Sequence, residues 1–257
     1  MPQRSFSLRL RFIFAGLLSF TLAEFFAIAQ SWGHGFVISA DVLFMLLSGG
    51  CTVLAFVVVR RWGREGKFGK VYFGTCIGMS LIFLGDVTGG VYDIVLRVAT
   101  PFPSLADVFY LLGYAVASVS LLTFLWYFKK AVDRKIAYKI ILVFVASTCS
   151  LSFVFLFSHS LTGTSVLDLD VAYAVLDSFV ITLAVIMLLV FSQSKFISPP
   201  WRWFALGLLL IGVAHFLNGL GNAEGWYSFP DPVDLIYLWG YVSFGLGFSI
   251  QADSESL

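Results

Sequence analysis

The sequence has few charges for its length. Only 12% of its 257 residues are Asp, Glu, Lys or Arg, whereas 59% are hydrophobic, and soluble domains carry about 25% charged residues. This composition excludes an ordinary soluble domain. We expect no nucleic-acid partner. We expect membrane lipid to be a partner of the chain.

Several kinds of reaction centre are missing as well. Cys51, Cys76 and Cys149 have no CxxC spacing, so we expect neither a disulfide nor a cysteine metal site. No lysine lies deep in an apolar stretch, where retinal would need one, and no G-x-S-x-G motif marks a serine hydrolase. The histidines show neither HxH nor HxxxH spacing. The sequence therefore leaves both cofactor and metal unknown.

Long apolar runs are what the sequence has in excess. A helix needs about twenty apolar residues to cross ~30 Å of hydrocarbon. We predict an all-α integral membrane protein with eight transmembrane helices near residues 12–31, 38–59, 70–91, 106–128, 138–158, 170–192, 201–221 and 234–251. The first of these resembles a signal peptide. We expect it to be retained, because Glu24 interrupts its apolar run and the repeat described below needs it.

The basic residues fall almost entirely on one side of these predicted spans. All of the sixteen Lys and Arg except Arg97 lie in segments on the same side as the N-terminus. The positive-inside rule assigns that side to the cytoplasm. We therefore predict that both termini are cytoplasmic and that the protein lies in the cell (plasma) membrane.

A thirteen-residue motif occurs twice. Residues 102–114 (FPSLADVFYLLGY) and 229–241 (FPDPVDLIYLWGY) share the pattern F-P-x-x-x-D-x-x-Y-L-x-G-Y. Upstream of them, Gly207 and His215 match Gly78 and Asp86 at the same spacing. Since each copy crosses the membrane four times, the copies are parallel, unlike the inverted repeats of many transporters. We predict two tandem parallel four-helix repeats, residues 1–130 and 131–257, which together form one membrane domain.

The repeated motif has two interpretations. Ser104 with Asp107 forms the S-x-x-D pattern of a capped helix start, and Asp231 with Asp234 repeats that spacing. Alternatively, both Asp–Tyr faces line an acidic pocket that opens on the extracytoplasmic side. Ionisable groups in hydrocarbon are costly and usually face the bundle interior. Most of the acids lie in the outer half of the predicted spans or in the outer loops. The candidate ligand-binding residues are Asp41, Asp86, Asp107, Tyr110, Asp177, His215, Asp234 and Tyr237.

The motif from Phe102 to Tyr114 resembles one in polytopic input domains of bacterial and archaeal signalling proteins, where it precedes histidine kinase or diguanylate cyclase modules. Residues 84–86 (LGD) and 172–177 (AYAVLD) are similar to two further segments of that family, although proline usually stands where this chain has Ala174. The resemblance implies a multi-pass membrane sensor module in the cell membrane of a prokaryote and names no stimulus. No output domain follows Ile250, so we expect signalling through a separate protein or another use of the fold.

The leading functional interpretation is a stand-alone sensor-like or ligand-binding membrane module. A small ligand, cation or lipid headgroup would bridge the two repeats and shift their packing. Three alternatives stay open: a transporter of a cation or small solute, an intramembrane carboxylate-dependent enzyme, and a structural subunit of a larger membrane complex. The enzyme would use Asp86, Asp177 and His215 as acid and base. The leading interpretation assigns no catalytic residue and favours a non-enzymatic role.

Overall fold

The computed structural model describes residues 34–127, 168–191 and 198–253, together with residues 138, 141–146 and 148–149. This part of the chain is all-α. Its elements are α1 (His34–Trp62), α2 (Gly66–Gly90) continued by a π-helical turn (Val91–Leu96), α3 (Leu105–Tyr127), α4 (Asp168–Phe191), α5 (Ser198–Glu224) and α6 (Pro232–Asp253). The predicted span 12–31 lies outside the described residues, and only pieces of the predicted span 138–158 are described.

Five of these helical segments are long and apolar enough to cross a membrane. They are Val37–Trp62, Gly66–Leu96, Leu105–Tyr127, Pro199–Asn222 and Pro232–Asp253, and α4 adds a shorter apolar stretch, Val175–Leu189. Large apolar side chains such as Leu46, Val53 and Val119 are more than half exposed on the outside of the bundle. Apolar surface of this kind is a liability in water and a match for lipid. The helices are those of a multi-pass membrane protein.

The six α-helices pack in a closed ring. Each helix from α1 to α5 contacts the next one, and α6 returns to contact α1. At one end of the ring, Arg61 donates to the backbone carbonyl of Ala252, and Trp62 Nε1 donates to that of Gln251 at 3.3 Å. At the other end, α1, α3, α4 and α6 begin, and α2 and α5 arrive.

Two glycine pairs give close helix contacts in this ring. A Cβ on Gly78 of α2 would lie 2.9 Å from the carbonyl oxygen of Gly113 on α3, and one on Gly207 of α5 would lie 3.0 Å from that of Gly240 on α6. Small residues let helix backbones approach where lipid supplies no hydrophobic driving force. Each pair anchors a helix at a site two turns before a polar residue, so it helps set the depth of that residue in the bundle.

Apolar side chains fill the end of the ring where α1 and α6 finish. Phe124, Phe204 and Phe248 are fully buried there. The Trp201 ring stacks on Phe124 with 3.5 Å between ring centroids. The Tyr72 ring also stacks on Trp201, with 5.8 Å between centroids. Large rings therefore pack closely at this end of the described bundle, and the buried acids lie towards the opposite end.

Candidate ligand-binding cavity

A cavity of about 900 Å³ lies at the end of the ring where α1, α3, α4 and α6 begin. Small-molecule sites in proteins commonly measure ~300–1,000 Å³. The wall takes side chains from all six described α-helices and from the loops that precede α3 and α6. All eight residues singled out from the sequence line it: Asp41 on α1, Asp86 on α2, Asp107 and Tyr110 on α3, Asp177 on α4, His215 on α5, and Asp234 and Tyr237 on α6.

Asp107 and Asp234 hold the starts of α3 and α6 in the same way. The Oδ2 atom of Asp107 accepts the backbone N–H of Ser104 at 2.7 Å, and that of Asp234 accepts the backbone N–H of Asp231 at 2.7 Å. A carboxylate that reaches back to the N–H three residues earlier is one half of a capping box. The capping interpretation of the motif therefore describes one oxygen of each acid.

The second oxygen of each of these acids accepts a tyrosine hydroxyl. Tyr173 on α4 donates to Asp107 Oδ1 at 2.9 Å, and Tyr227 in the loop before α6 donates to Asp234 Oδ1 at 2.9 Å. Burial raises the pKa of the Tyr227 hydroxyl, and the neighbouring Asp234 raises it further, so this hydroxyl stays a donor at neutral pH. Asp107 and Asp234 are thus fully engaged by the protein.

His215 is held between two helices of the ring. Its Nε2 atom lies 3.0 Å from the Tyr114 hydroxyl on α3, and its Nδ1 atom lies 3.3 Å from Asp177 Oδ1 on α4. The ring also meets Tyr114 and Tyr237 edge-on, with centroids 5.0 and 5.1 Å apart. Both imidazole nitrogens therefore have protein partners, and Asp177 has the His215 Nδ1 atom as a neighbour.

Asp86 and Asp41 are different, because each keeps an oxygen without a partner. Asp86 is 6% exposed, and its Oδ1 accepts the Tyr110 hydroxyl at 2.8 Å. Its Oδ2 makes no hydrogen bond of normal geometry with the described residues, although the hydroxyls of Ser48 and Tyr241 are neighbours. Asp41 is 7% exposed, and its buried Oδ2 likewise has no partner among the described residues.

The charge around these two acids is unbalanced. Asp41 lies within electrostatic reach of Asp93, Asp86 and Asp234. Among the described residues that line the cavity, Arg97 is the one Arg or Lys, and it is exposed at the mouth. Leaving a buried acceptor unsatisfied costs about 1–3 kcal/mol, and more when the acceptor is charged. The cavity therefore presents costly, unfilled acceptors to whatever enters it.

The remaining wall around Asp41 is aromatic. Phe44, one turn further along α1, lies 6.4 Å from Tyr237 and 6.1 Å from both Tyr241 and Phe229, measured between ring centroids. In the described part of the chain, no three His, Cys, Asp or Glu side chains are grouped closely enough to hold a metal ion. The acids are instead distributed around the cavity, between the rings.

No protein-family model, curated protein or solved structure matches this chain. The function of the protein must therefore be inferred from the geometry of the cavity.

Proposed function

We propose that the protein is a sensor-like, ligand-binding membrane module whose cavity takes a small polar ligand from the extracytoplasmic side. One observation carries the proposal: the shared cavity of the six described helices contains two buried carboxylates, Asp41 and Asp86, that each keep an oxygen without a hydrogen-bond partner among the described residues. A ligand with hydrogen-bond donors satisfies both oxygens and removes the cost of burying them empty.

The proposed architecture is a pair of tandem, parallel four-helix repeats with eight spans and both termini in the cytoplasm. Three features of the described helices support the duplication. The acids Asp107 and Asp234 cap their helices identically, and the glycine pairs on α2–α3 and α5–α6 are equivalent. The contacts α1–α6 and α3–α4 also exchange when the two repeats are exchanged.

A ligand in this cavity contacts both proposed repeats. Asp41 on α1 and Asp86 on α2 belong to the first, while the neighbouring Tyr241 on α6 belongs to the second. A ligand shifts a conformational equilibrium only by binding one state better than the other. Because it bridges the boundary between the repeats, its occupancy stabilises one relative packing of the two halves, and a partner protein can read that packing.

The packing of aromatic side chains at the opposite end of the ring favours binding over conduction. There the described helices bury Phe124, Trp201, Phe204 and Phe248 against one another. An ion or polar solute needs a hydrated or polar path across the membrane, whereas the polar cavity lies at one end. The cavity in this structure thus has the form of a site that is entered and left from the same side.

Thermal unfolding of the purified full chain in lipid nanodiscs tests this function without assuming the ligand. The panel contains amines, alkali and alkaline-earth salts, sugars, amino acids and small anions. A ligand that binds the folded state raises the unfolding midpoint. We expect such a rise for the wild type and for Asp253→Asn, which changes an exposed acid at the far end of α6, and its loss in Asp86→Asn. A panel in which no compound distinguishes the wild type from Asp86→Asn contradicts the proposal.

A further inference from the structure

The two halves of the ring treat their buried acids differently. On α4, Asp177 has the imidazole of His215 as its partner, with 3.3 Å between Nδ1 and Oδ1. The repeat pairs Asp177 with Asp41 and His215 with Asp86. The first half therefore carries an acid where the second half carries a nitrogen base. Asp41 lies within electrostatic reach of Asp86, and no described residue donates a hydrogen bond to Asp41 Oδ2 or to Asp86 Oδ2.

A group that pairs with both acids of the first half would carry positive charge and N–H donors. Each ionised carboxylate oxygen can only accept hydrogen bonds, and Asp41 and Asp86 each have a buried oxygen to which no described residue donates. Asp93 and Asp234 add negative charge on the same side. An opposite charge within a few ångströms is what stabilises ionised carboxylates in a site of low dielectric.

The shape of the site favours an organic cation over an inorganic one. Calcium takes six to eight oxygen ligands and magnesium demands an octahedron, whereas the described acids do not group three together around a point. The volume of about 900 Å³ is far larger than an ion requires. Phe44, one turn from Asp41 on α1, also packs against Tyr237 and Tyr241 in the cavity wall, and such rings attract ammonium groups and cover alkyl chains.

We propose that the ligand is an organic amine whose N–H-bearing ammonium group binds between Asp41 and Asp86, in the position that His215 occupies relative to Asp177. The proposal rests on the ligand-binding function above and names its chemical class. The ammonium donates to Asp41 Oδ2 and Asp86 Oδ2, and the carbon chain lies against the rings of the wall. The group can come from a free amine or from an ethanolamine lipid headgroup.

The test uses the full chain in phosphatidylcholine nanodiscs, with 1,4-diaminobutane as the probe. Tetramethylammonium, magnesium chloride and mannitol are compared with it at equal ionic strength. Affinity is measured by calorimetric titration and by the unfolding midpoint. We expect diaminobutane to bind and the other three to bind at least tenfold more weakly, because tetramethylammonium has no N–H, magnesium has no alkyl chain and mannitol has no charge.

Variants locate the binding. Asp41→Asn and Asp86→Asn should each weaken diaminobutane binding at least tenfold, while Asp253→Asn leaves it unchanged. Asp86→Glu keeps the charge and should retain more affinity than Asp86→Asn, which separates loss of charge from loss of fold. Diaminobutane binding that is absent from the wild type, or unchanged in both Asn variants, overturns the proposal.

The same experiment separates the ligand class from the function. Binding of mannitol or magnesium that depends on Asp86 refutes the amine and leaves the ligand-binding function standing. A panel without any Asp86-dependent response refutes both. Nanodiscs containing phosphatidylethanolamine distinguish the two sources: competition with diaminobutane assigns the site to the headgroup, and unchanged diaminobutane affinity assigns it to a free amine.

Discussion

Four of the acids that line the cavity form two pairs, which differ in the hydrogen bonds that the protein gives them. Asp107 and Asp234 each receive a backbone N–H and a tyrosine hydroxyl. Asp41 and Asp86 each retain an oxygen that no described residue satisfies. The first pair contributes to stability in the absence of ligand, whereas the second pair is held at a cost. Substitutions in the two pairs should therefore have opposite effects on the empty protein.

Removing a capping acid should destabilise the protein. Asp107→Ala leaves the Ser104 N–H and the Tyr173 hydroxyl without their acceptor, and Asp234→Ala does the same to its own partners. Lost caps and unsatisfied donors cost about 1–3 kcal/mol each. We expect both variants to unfold at lower temperature than Asp253→Ala, which changes an exposed acid. Wild-type midpoints for both would show that these hydrogen bonds contribute nothing to stability.

Neutralising a ligand-facing acid should have the reverse effect. Asn at position 86 still accepts the Tyr110 hydroxyl, but it no longer places a second charge near Asp41. Functional sites often give up stability that a neutral substitution restores. We expect ligand-free Asp86→Asn to unfold at the same temperature as the wild type or at a higher one. The gain in the free energy of unfolding should be at most about 1–2 kcal/mol. A drop as large as that of Asp107→Ala would identify Asp86 as a structural acid.

At the scale of the helices, glycine contacts set how closely neighbours pack. A Cβ added at Gly78 would lie 2.8 Å from the Ala117 Cβ, and one at Gly240 would lie 2.5 Å from Ile211 Cγ1. We expect Gly78→Ala and Gly240→Ala to lower the unfolding midpoint, because the helices must move apart.

Gly50→Ala on α1 is the matched control, since nothing lies within 4 Å of the added carbon. It should be neutral or slightly stabilising, because alanine favours a helix by about 0.8–1 kcal/mol over glycine. Equal midpoints for all three variants would mean that close glycine packing does not hold the ring together.

The helices themselves follow from the sequence, because span length and apolar content are properties of a continuous segment. Each described helix lies within a few residues of a predicted span. The π-helical turn over Val91–Leu96 and the left-handed Arg97 that ends it, with φ 55°, were not predicted. No composition signal marks a change of hydrogen-bond register within an apolar run, so these features depend on tertiary packing.

Only part of the candidate site could be predicted from the sequence. The acids and His215 could be singled out because an ionisable residue in an apolar run is conspicuous. Tyr173 and Tyr227, which complete the bonding of two of those acids, were not in the predicted site. Tyrosine is common at membrane interfaces, so its presence carries little signal. The direction in which each side chain points, and hence which acids are left unsatisfied, is decided by how the helices rotate in the ring.

At the scale of the whole molecule, the proposed topology places the cavity on the extracytoplasmic side. The prediction rests on the positive-inside rule and on the one-sided distribution of all Lys and Arg except Arg97. Single cysteines test it after the three native ones are replaced. We expect a membrane-impermeant thiol reagent to label Ser228→Cys at the cavity in intact cells, and to label Glu65→Cys only after lysis.

Reagent charge adds a second readout of the same variant. Because the cavity is acidic, a cationic reagent should modify Ser228→Cys several-fold faster than an anionic one of the same size. Labelling of Glu65→Cys alone in intact cells would reverse the topology, and equal rates for the two reagents would refute the acidic cavity.

A structure of the purified protein in lipid, determined by electron cryomicroscopy, would show directly whether a ligand binds in the cavity at Asp41 and Asp86. The proposed ligand-binding function predicts a hydrated cavity between the helices, with density for a bound molecule contacting Asp41 Oδ2 and Asp86 Oδ2. A dry, closed interior in which both carboxylates find protein partners would contradict it. The repeated motif would then serve only to start two helices.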